Sequence, residues 1–177
     1  MTYAGFWRRF GAYWADFVVL IPLMAIGYYG SQYSRLFQLY WLLPGTVFGI
    51  WFNVYLVTRY GGTPGKLFLH TKIVMTDGSP VTRRAAFYRY SVLLLLSLAS
   101  SIAMCYASLG VTSEQYFSLN YTQRSIALVA HAPNWYKAVS IALQIWIWSE
   151  FITLLFNKKR RAIHDFIAGT VVIKAEP

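Results

Sequence analysis

Charged residues, and acidic ones above all, are scarce in this chain of 177 residues. Only 12% of its residues are charged and six are Asp or Glu, whereas an ordinary soluble domain carries about 25% charged residues. Hydrophobic residues make up 57% of the chain. A soluble domain of this size could not bury so much apolar surface. The composition therefore predicts a membrane protein whose main partner is the lipid bilayer.

Cysteines and clustered metal ligands are also lacking. Cys105 is the single cysteine, which excludes a disulfide within the chain and a cysteine-based metal site. The three histidines lie in separate segments and form no His-Glu-x-x-His motif, and the chain has no Gly-x-Ser-x-Gly sequence. We therefore expect no metal, no cofactor and no enzymatic activity.

The segment Gly-Gly-Thr-Pro-Gly-Lys at 61–66 lacks the residues of a phosphate-binding loop. Such a loop would need glycine at position 60 and Ser or Thr at position 67, where the chain has Tyr60 and Leu67. We interpret Gly65 and Lys66 as part of a sharp turn where the chain leaves the membrane. Lys66 would then face the phospholipid headgroups.

Four apolar stretches are each long enough for a membrane-spanning helix, which needs about 20 residues. They cover residues 10–29, 39–57, 90–109 and 138–156. The first contains Asp16 and the fourth contains Glu150. The sequence thus predicts one all-α membrane domain over residues 1–177, with four transmembrane helices, a cytoplasmic loop at 58–89 and an outer loop at 110–137.

Basic residues are distributed unevenly between the two sides of these predicted spans. Thirteen of the sixteen Lys and Arg residues fall at the N-terminus, in the 58–89 loop or after the fourth span, and three fall on the other side. This bias predicts that both termini are cytoplasmic. It also explains the net charge of +10 better than binding of nucleic acid does, so we expect no nucleic-acid partner.

Two segments outside the predicted spans favour short strands. Residues 67–75 are rich in apolar and β-branched side chains, and the Asp77-Gly78 turn and Pro80-Val81-Thr82 follow them. This order is typical of a β-hairpin. Residues 169–174 form another candidate strand, and pairing with the hairpin would hold the C-terminal tail below the membrane. In the outer loop we expect an interfacial helix or an ordered loop.

Charged residues near the ends of the predicted spans are the candidates for function. Arg9 and Asp16 are seven residues apart, about 10.5 Å along one helix. An ionised carboxylate at that depth costs several kcal/mol unless it is paired or hydrated, and Arg9 or Arg89 could neutralise Asp16. Either a structural salt bridge or an ion or proton site is compatible with the pattern.

Two further acidic residues have the same two interpretations. Glu150 is either a neutral, hydrogen-bonded residue at a helix interface or a group that carries protons. Asp165 follows the basic run Lys158-Lys159-Arg160-Arg161. We predict that Asp165 pairs with this run or with Arg9.

These blocks resemble the RDD family of bacterial membrane proteins, named for an arginine and an aspartate in the first span region and a second aspartate near the C-terminus. The matching residues are Arg9, Asp16 and Asp165. The Gly-Thr-Pro-Gly-Lys turn, the Asp-Gly turn and the His-Asp-x-x-Ala-Gly-Thr end resemble the family as well. Residues 101–138 form a longer stretch than the family leads us to expect.

The resemblance implies a location in the bacterial inner membrane, and some family members look like sodium or other monovalent-cation/proton antiporters. We therefore expect a small transporter that exchanges a monovalent cation for protons, as a homo-oligomer. The alternative is an accessory or assembly subunit, without transport activity, of a larger membrane complex. The candidate site residues are Arg9, Asp16, Arg89, Glu150 and Asp165.

Overall fold

The computed structural model describes residues 2–156 and 160–175 and is mainly helical. The long helices are α1 (Phe6–Tyr33), α2 (Phe37–Ile50), α5 (Arg83–Gly110) and α8 (Tyr136–Phe156). A π-helical turn, Trp51–Tyr55, joins α2 to α3 (Leu56–Tyr60). The remaining elements are α4 (Pro64–Phe68), α6 (Ser113–Ser118), α7 (Tyr121–Ala130), α9 (Ile163–Ala168), β1 (Thr71–Met75) and β2 (Thr170–Lys174).

Among the described residues, three helical segments are long and apolar enough to cross a membrane, judged by length and composition: Phe6–Tyr33, Phe37–Phe68 and Arg83–Gly110. They contain the first three predicted spans and extend beyond them at both ends. The fourth predicted stretch forms α8, a helix of 21 residues, and its crossing of the membrane stays a prediction. Large apolar side chains on these helices are exposed, such as Leu43 at 75% and Ile145 at 64%. Such surfaces are suited to lipid.

Helix α5 is the central packing element. It packs against α2, α7, α8 and α9, while α1 lies along α4. Its buried positions are occupied by small residues, including Ala85, Ala86, Ala103 and Ala107. Small side chains allow helix backbones to approach closely, which is how helices associate when lipid removes the hydrophobic driving force.

The two strands form one antiparallel sheet, in which Thr71 pairs with Lys174 and Met75 with Thr170. The predicted link between the loop and the tail is therefore confirmed. The predicted hairpin was mostly wrong, because residues 67 and 68 belong to α4 and only a single bridge, Val74–Pro80, forms after the turn. Proline has no N–H to extend the pairing, and Thr82 already caps α5 by accepting a hydrogen bond from Ala85 N at 3.1 Å.

A small apolar core lies beneath the sheet and fixes its position against the helices. Its buried members are Ala4, Val57, Ile73, Val81, Ala85, Ala86 and Val172. They come from the N-terminal segment, α3, both strands, the loop between β1 and α5, and the start of α5. The chain ends are thereby joined to the central loop at one end of the helix bundle.

The segment between α5 and α8, predicted as an outer loop, contains the two helices α6 and α7. Thr112 caps α6, and Asn120 caps α7 through a capping box. In that box the Asn120 side chain accepts from Gln123 N, and the Gln123 side chain accepts from Asn120 N, both at 3.0 Å. Reciprocal bonds of this kind satisfy donors that a helix N-terminus leaves unpaired.

Candidate functional site

Charged side chains from five helices meet at the end of the bundle that carries the sheet. Three are cationic and three are carboxylates, and we call them the ionic cluster: Arg9, Lys66, Arg89, Asp16, Glu150 and Asp165. If all six are ionised, their charges cancel. The cluster therefore contains three of the six acidic residues of the chain.

Asp165 is completely buried and binds two arginines. Arg9 Nη1 donates to Asp165 Oδ2 at 2.9 Å, and Arg89 Nη1 donates to Oδ1. The predicted pairing of Asp165 with Arg9 is thus confirmed. Of the basic run, Lys158 and Lys159 lie outside the described residues, whereas Arg161 donates to the main-chain oxygen of Asp165 at 2.9 Å.

Local sequence explains how Asp165 reaches this position. Its carboxylate also accepts a hydrogen bond from Ala162 N at 3.0 Å, at the N-terminus of α9. An acidic side chain is favoured in the first turn of a helix. Gly169 then ends α9 with a positive φ of 65°, which directs the chain into β2. There the Thr170 hydroxyl donates to Asp165 Oδ1 at 3.1 Å.

Asp16 binds the turn that begins α4 and not an arginine. Its carboxylate accepts from Thr63 Oγ1 at 2.5 Å and from Gly65 N at 2.7 Å, and Lys66 Nζ lies 3.7 Å from Oδ2. The prediction that Arg9 or Arg89 neutralises Asp16 was wrong, because both arginines bind Asp165 instead. The prediction that Lys66 faces the headgroups was also wrong. Its ammonium points inward, 5.0 Å from the centre of the Tyr13 ring.

Gly65 allows this contact between α4 and α1. A Cβ atom at position 65 would lie 2.5 Å from Asp16 N and closer still to the carbonyl oxygen of Ala12. Neither backbone atom can move without distorting α1. Glycine is therefore required at this position by close backbone approach.

Glu150 is partly buried and receives two side-chain hydrogen bonds. The Tyr13 hydroxyl donates a hydrogen bond to Oε2 at 2.6 Å, and His164 Nδ1 lies 2.5 Å from Oε1. Sequence reasoning identified Glu150 but missed Tyr13 and considered His164 only as a metal ligand. The useful signals were the His-Asp pair, which places His164 beside Asp165, and the position of Tyr13 between Arg9 and Asp16.

His164 is neutral at pH 7. Burial, and to a smaller extent the positive charge of Arg89, lower its pKa to about 4 against the opposing effect of Glu150. A neutral imidazole carries one proton, and the contact with Glu150 assigns that proton to Nδ1. The Nε2 atom is then an acceptor, and it has no hydrogen-bond partner among the described residues.

A cavity of about 80 Å³ lies against this group, large enough for a few water molecules. Its polar lining includes Tyr13, Asn53, Lys66, Arg89, Glu150 and His164. Asn53 comes from the π-helical turn, a distortion that is frequent at functional sites. The described part of the chain contains no group of three or more His, Cys, Asp or Glu residues that could hold a metal ion.

The sequence model of the RDD family matches residues 3–169, from the segment before α1 to the end of α9. The chain belongs to the RDD family. No curated protein and no solved structure shows a significant match to it. In this RDD protein, Arg9 and Asp165 bind each other and Asp16 binds the α4 turn. Glu150, with its partners Tyr13 and His164, supplies a hydrogen-bonded carboxylate beside the cavity.

Proposed function

We propose that the protein is a small transporter of the bacterial inner membrane that exchanges a monovalent cation for protons. The position of Glu150 supports this proposal, because its carboxylate lies in the wall of a polar cavity between helices. A carboxylate binds either a proton or a cation, so one group can couple their opposite movements. Acidic residues inside membrane segments frequently mark such pathways.

The proposed topology has four membrane-spanning helices, α8 being the fourth, and both termini in the cytoplasm. The supporting observation is the distribution of thirteen basic residues on one side and three on the other. The ionic cluster then lies near the cytoplasmic ends of the helices. From there Glu150 can exchange protons with the cytoplasm through Tyr13, His164 and water in the cavity.

The charge balance of the ionic cluster limits how it can bind a cation. Lys66 and Arg89 line the cavity, and a further positive charge there requires an ionised Glu150. Protonation of Glu150 would remove that negative charge and release the cation. In this proposal the proton and the cation compete for the Glu150 carboxylate, which is therefore the exchanging group. The remaining candidate residues stabilise the surrounding structure: Arg9, Asp16, Arg89 and Asp165.

The deciding experiment is a flux measurement in liposomes that contain the purified protein. Glu150→Gln keeps the size of the side chain, and its amide can still accept from His164 Nδ1 and donate to the Tyr13 oxygen. It cannot take up a proton, so we expect it to fold and to lose cation-driven proton flux. The matched control is Glu114→Gln on the exposed surface of α6, which should keep its flux. A Glu150→Gln protein of wild-type thermal stability and unchanged flux would refute this role.

The second candidate function is that of an accessory or assembly subunit of a larger membrane complex. It is favoured because the positive and negative charges of the ionic cluster neutralise each other within the chain. Both aspartates of the cluster are saturated by donors within the chain, as expected for a structural network. Mild solubilisation of native membranes distinguishes the two functions. A different protein at fixed stoichiometry favours the subunit, and a homo-oligomer favours the transporter.

A further inference from the structure

A second, larger cavity opens on the surface where α1 begins and α8 ends. Its volume is about 1020 Å³. Three basic side chains from different parts of the chain line it: Arg8 in α1, Arg160 before α9, and Lys174 at the end of β2. No acidic side chain of the described residues lines the cavity. Its charge is therefore suited to an anion.

The start of α1 adds to this positive environment. No described side chain caps the helix at Gly5, and its first turn contains no acidic residue. The first N–H groups of a helix lack partners within the helix and favour a nearby negative charge. Gly5 also makes room for the Arg160 guanidinium, which a Cβ at position 5 would contact.

The rim of the cavity is apolar and aromatic. Trp7 and Phe156 both line it and are 78% and 86% exposed, respectively. These residues lie at one end of α1 and of α8, where aromatic rings typically sit at the membrane–water interface. A soluble anion would not cover them, whereas the acyl chains of a lipid would.

We propose that this cavity binds the headgroup phosphate of an anionic phospholipid. Arg8, Arg160 and Lys174 surround the phosphate, and Trp7 and Phe156 contact the first part of the acyl chains. Basic pockets on the cytoplasmic side of membrane proteins recognise lipids by the same combination. The proposal requires the membrane setting but not transport, since the site is separate from Glu150 and its binding is measured without an ion gradient.

The test is native mass spectrometry of the detergent-purified protein, titrated with phosphatidylglycerol or with phosphatidylcholine of the same acyl chains. We expect phosphatidylglycerol to bind more tightly. Removing all three charges by Arg8→Gln, Arg160→Gln and Lys174→Gln should weaken its binding by about a hundredfold, at roughly fivefold for each charge. The single Lys174→Gln variant, at an exposed strand end, should bind about fivefold more weakly.

The matched control removes three exposed basic residues on the same proposed face but outside the cavity, by Arg59→Gln, Lys72→Gln and Arg83→Gln. This control makes the same change in net charge and should still bind phosphatidylglycerol more tightly than phosphatidylcholine. Equal affinity of the wild type for both lipids, or equal losses in both triple variants, would overturn the proposal. Displacement of phosphatidylglycerol by free glycerol phosphate at equal concentration would overturn it in favour of a soluble anion.

Discussion

At the scale of single residues, the carboxylate of Asp165 balances the positive charge of two buried guanidinium groups. Arg9 and Arg89 both donate to its carboxylate, and the Ala162 N–H adds a further bond. Desolvating three charges is costly, so such a group is stable only when every member is present. Removal of the shared anion is more damaging than removal of one exposed ion pair.

Asp165→Asn should therefore destabilise the protein by about 3–5 kcal/mol, because two buried positive charges lose their counter-ion. Thermal unfolding in detergent measures the effect. Asp77→Asn is the control, since Asp77 is exposed and accepts a hydrogen bond from Ser79 within its own turn. If both variants melt at the wild-type temperature, Asp165 is not required to compensate the charges of Arg9 and Arg89.

The buried imidazole of His164 gives the stability a defined dependence on pH. Its folded-state pKa of about 4 lies below the ordinary value of 6.5, so the unfolded chain binds the proton more tightly. The contribution of neutral His164 is present above pH 6.5 and is lost as the pH falls through 4. The shift corresponds to roughly 3 kcal/mol.

We expect the free energy of unfolding to decrease between pH 6.5 and 4.5 less steeply in His164→Gln than in the wild type. Other groups titrate in the same window, so the slope of stability against pH is compared and not its absolute value. His131→Gln, at an exposed position, should follow the wild-type slope. Identical slopes in all three proteins would show that His164 is not held neutral by burial.

At the scale of elements, the short helix α4 determines the geometry of the site. It is one turn long and lies against α1, where its backbone N–H and its lysine reach Asp16. Only glycine at position 65 allows this approach. The contact compensates the buried carboxylate of Asp16 and anchors the segment between α3 and β1.

Gly65→Ala should separate α4 from α1 and destabilise the protein by about 1–3 kcal/mol, as overpacking of a close contact does. Gly27→Ala, in α1, is the control. A Cβ at position 27 meets nothing within 4 Å, and alanine is the better helix former. Unfolding in denaturant should rank Gly27→Ala at or above the wild type and Gly65→Ala below both. A Gly65→Ala protein as stable as the wild type would refute the assignment of Gly65.

At the scale of the whole molecule, the sheet and the ionic cluster join the chain ends to the central loop on one face. Antiparallel pairing of β1 with β2 and the Arg9–Asp165 ion pair connect residues far apart in sequence. Most basic residues of the described chain belong to the segments that form this face. In the proposed topology it lies in the cytoplasm, and α6 and α7 lie on the outside.

Labelling with a reagent that cannot enter cells tests this topology. In a Cys105→Ala background, Ser118→Cys at the end of α6 should react in intact cells. Thr76→Cys, in the exposed turn after β1, should react only after lysis. Reaction of position 76 in intact cells would exclude a cytoplasmic central loop and with it the four-span topology.

Apolar length and local sequence were sufficient to predict the four long helices and the strand pairing. A stretch of about 20 apolar residues has to satisfy its backbone hydrogen bonds internally when it lies in lipid, so all four stretches could be predicted as helices without a structure, and three of them are long and apolar enough to span a membrane among the described residues. The β-branched segments that became β1 and β2 were likewise visible. The hairpin prediction was wrong because Pro80 cannot donate a hydrogen bond to a second strand, and the chain enters α5 at the Thr82 cap two residues later.

The partners of the charged residues were decided only by the tertiary structure. Sequence identified Arg9, Asp16, Arg89, Glu150 and Asp165, and it named Arg9 as one of two alternative partners of Asp165, which the structure confirms. It assigned the wrong partner to Asp16 and the wrong direction to Lys66. Composition and spacing determine whether a charge must be compensated, since burial makes isolation costly. Which group compensates it depends on how closely two backbones approach, and here that depends on the packing of α4 against α1.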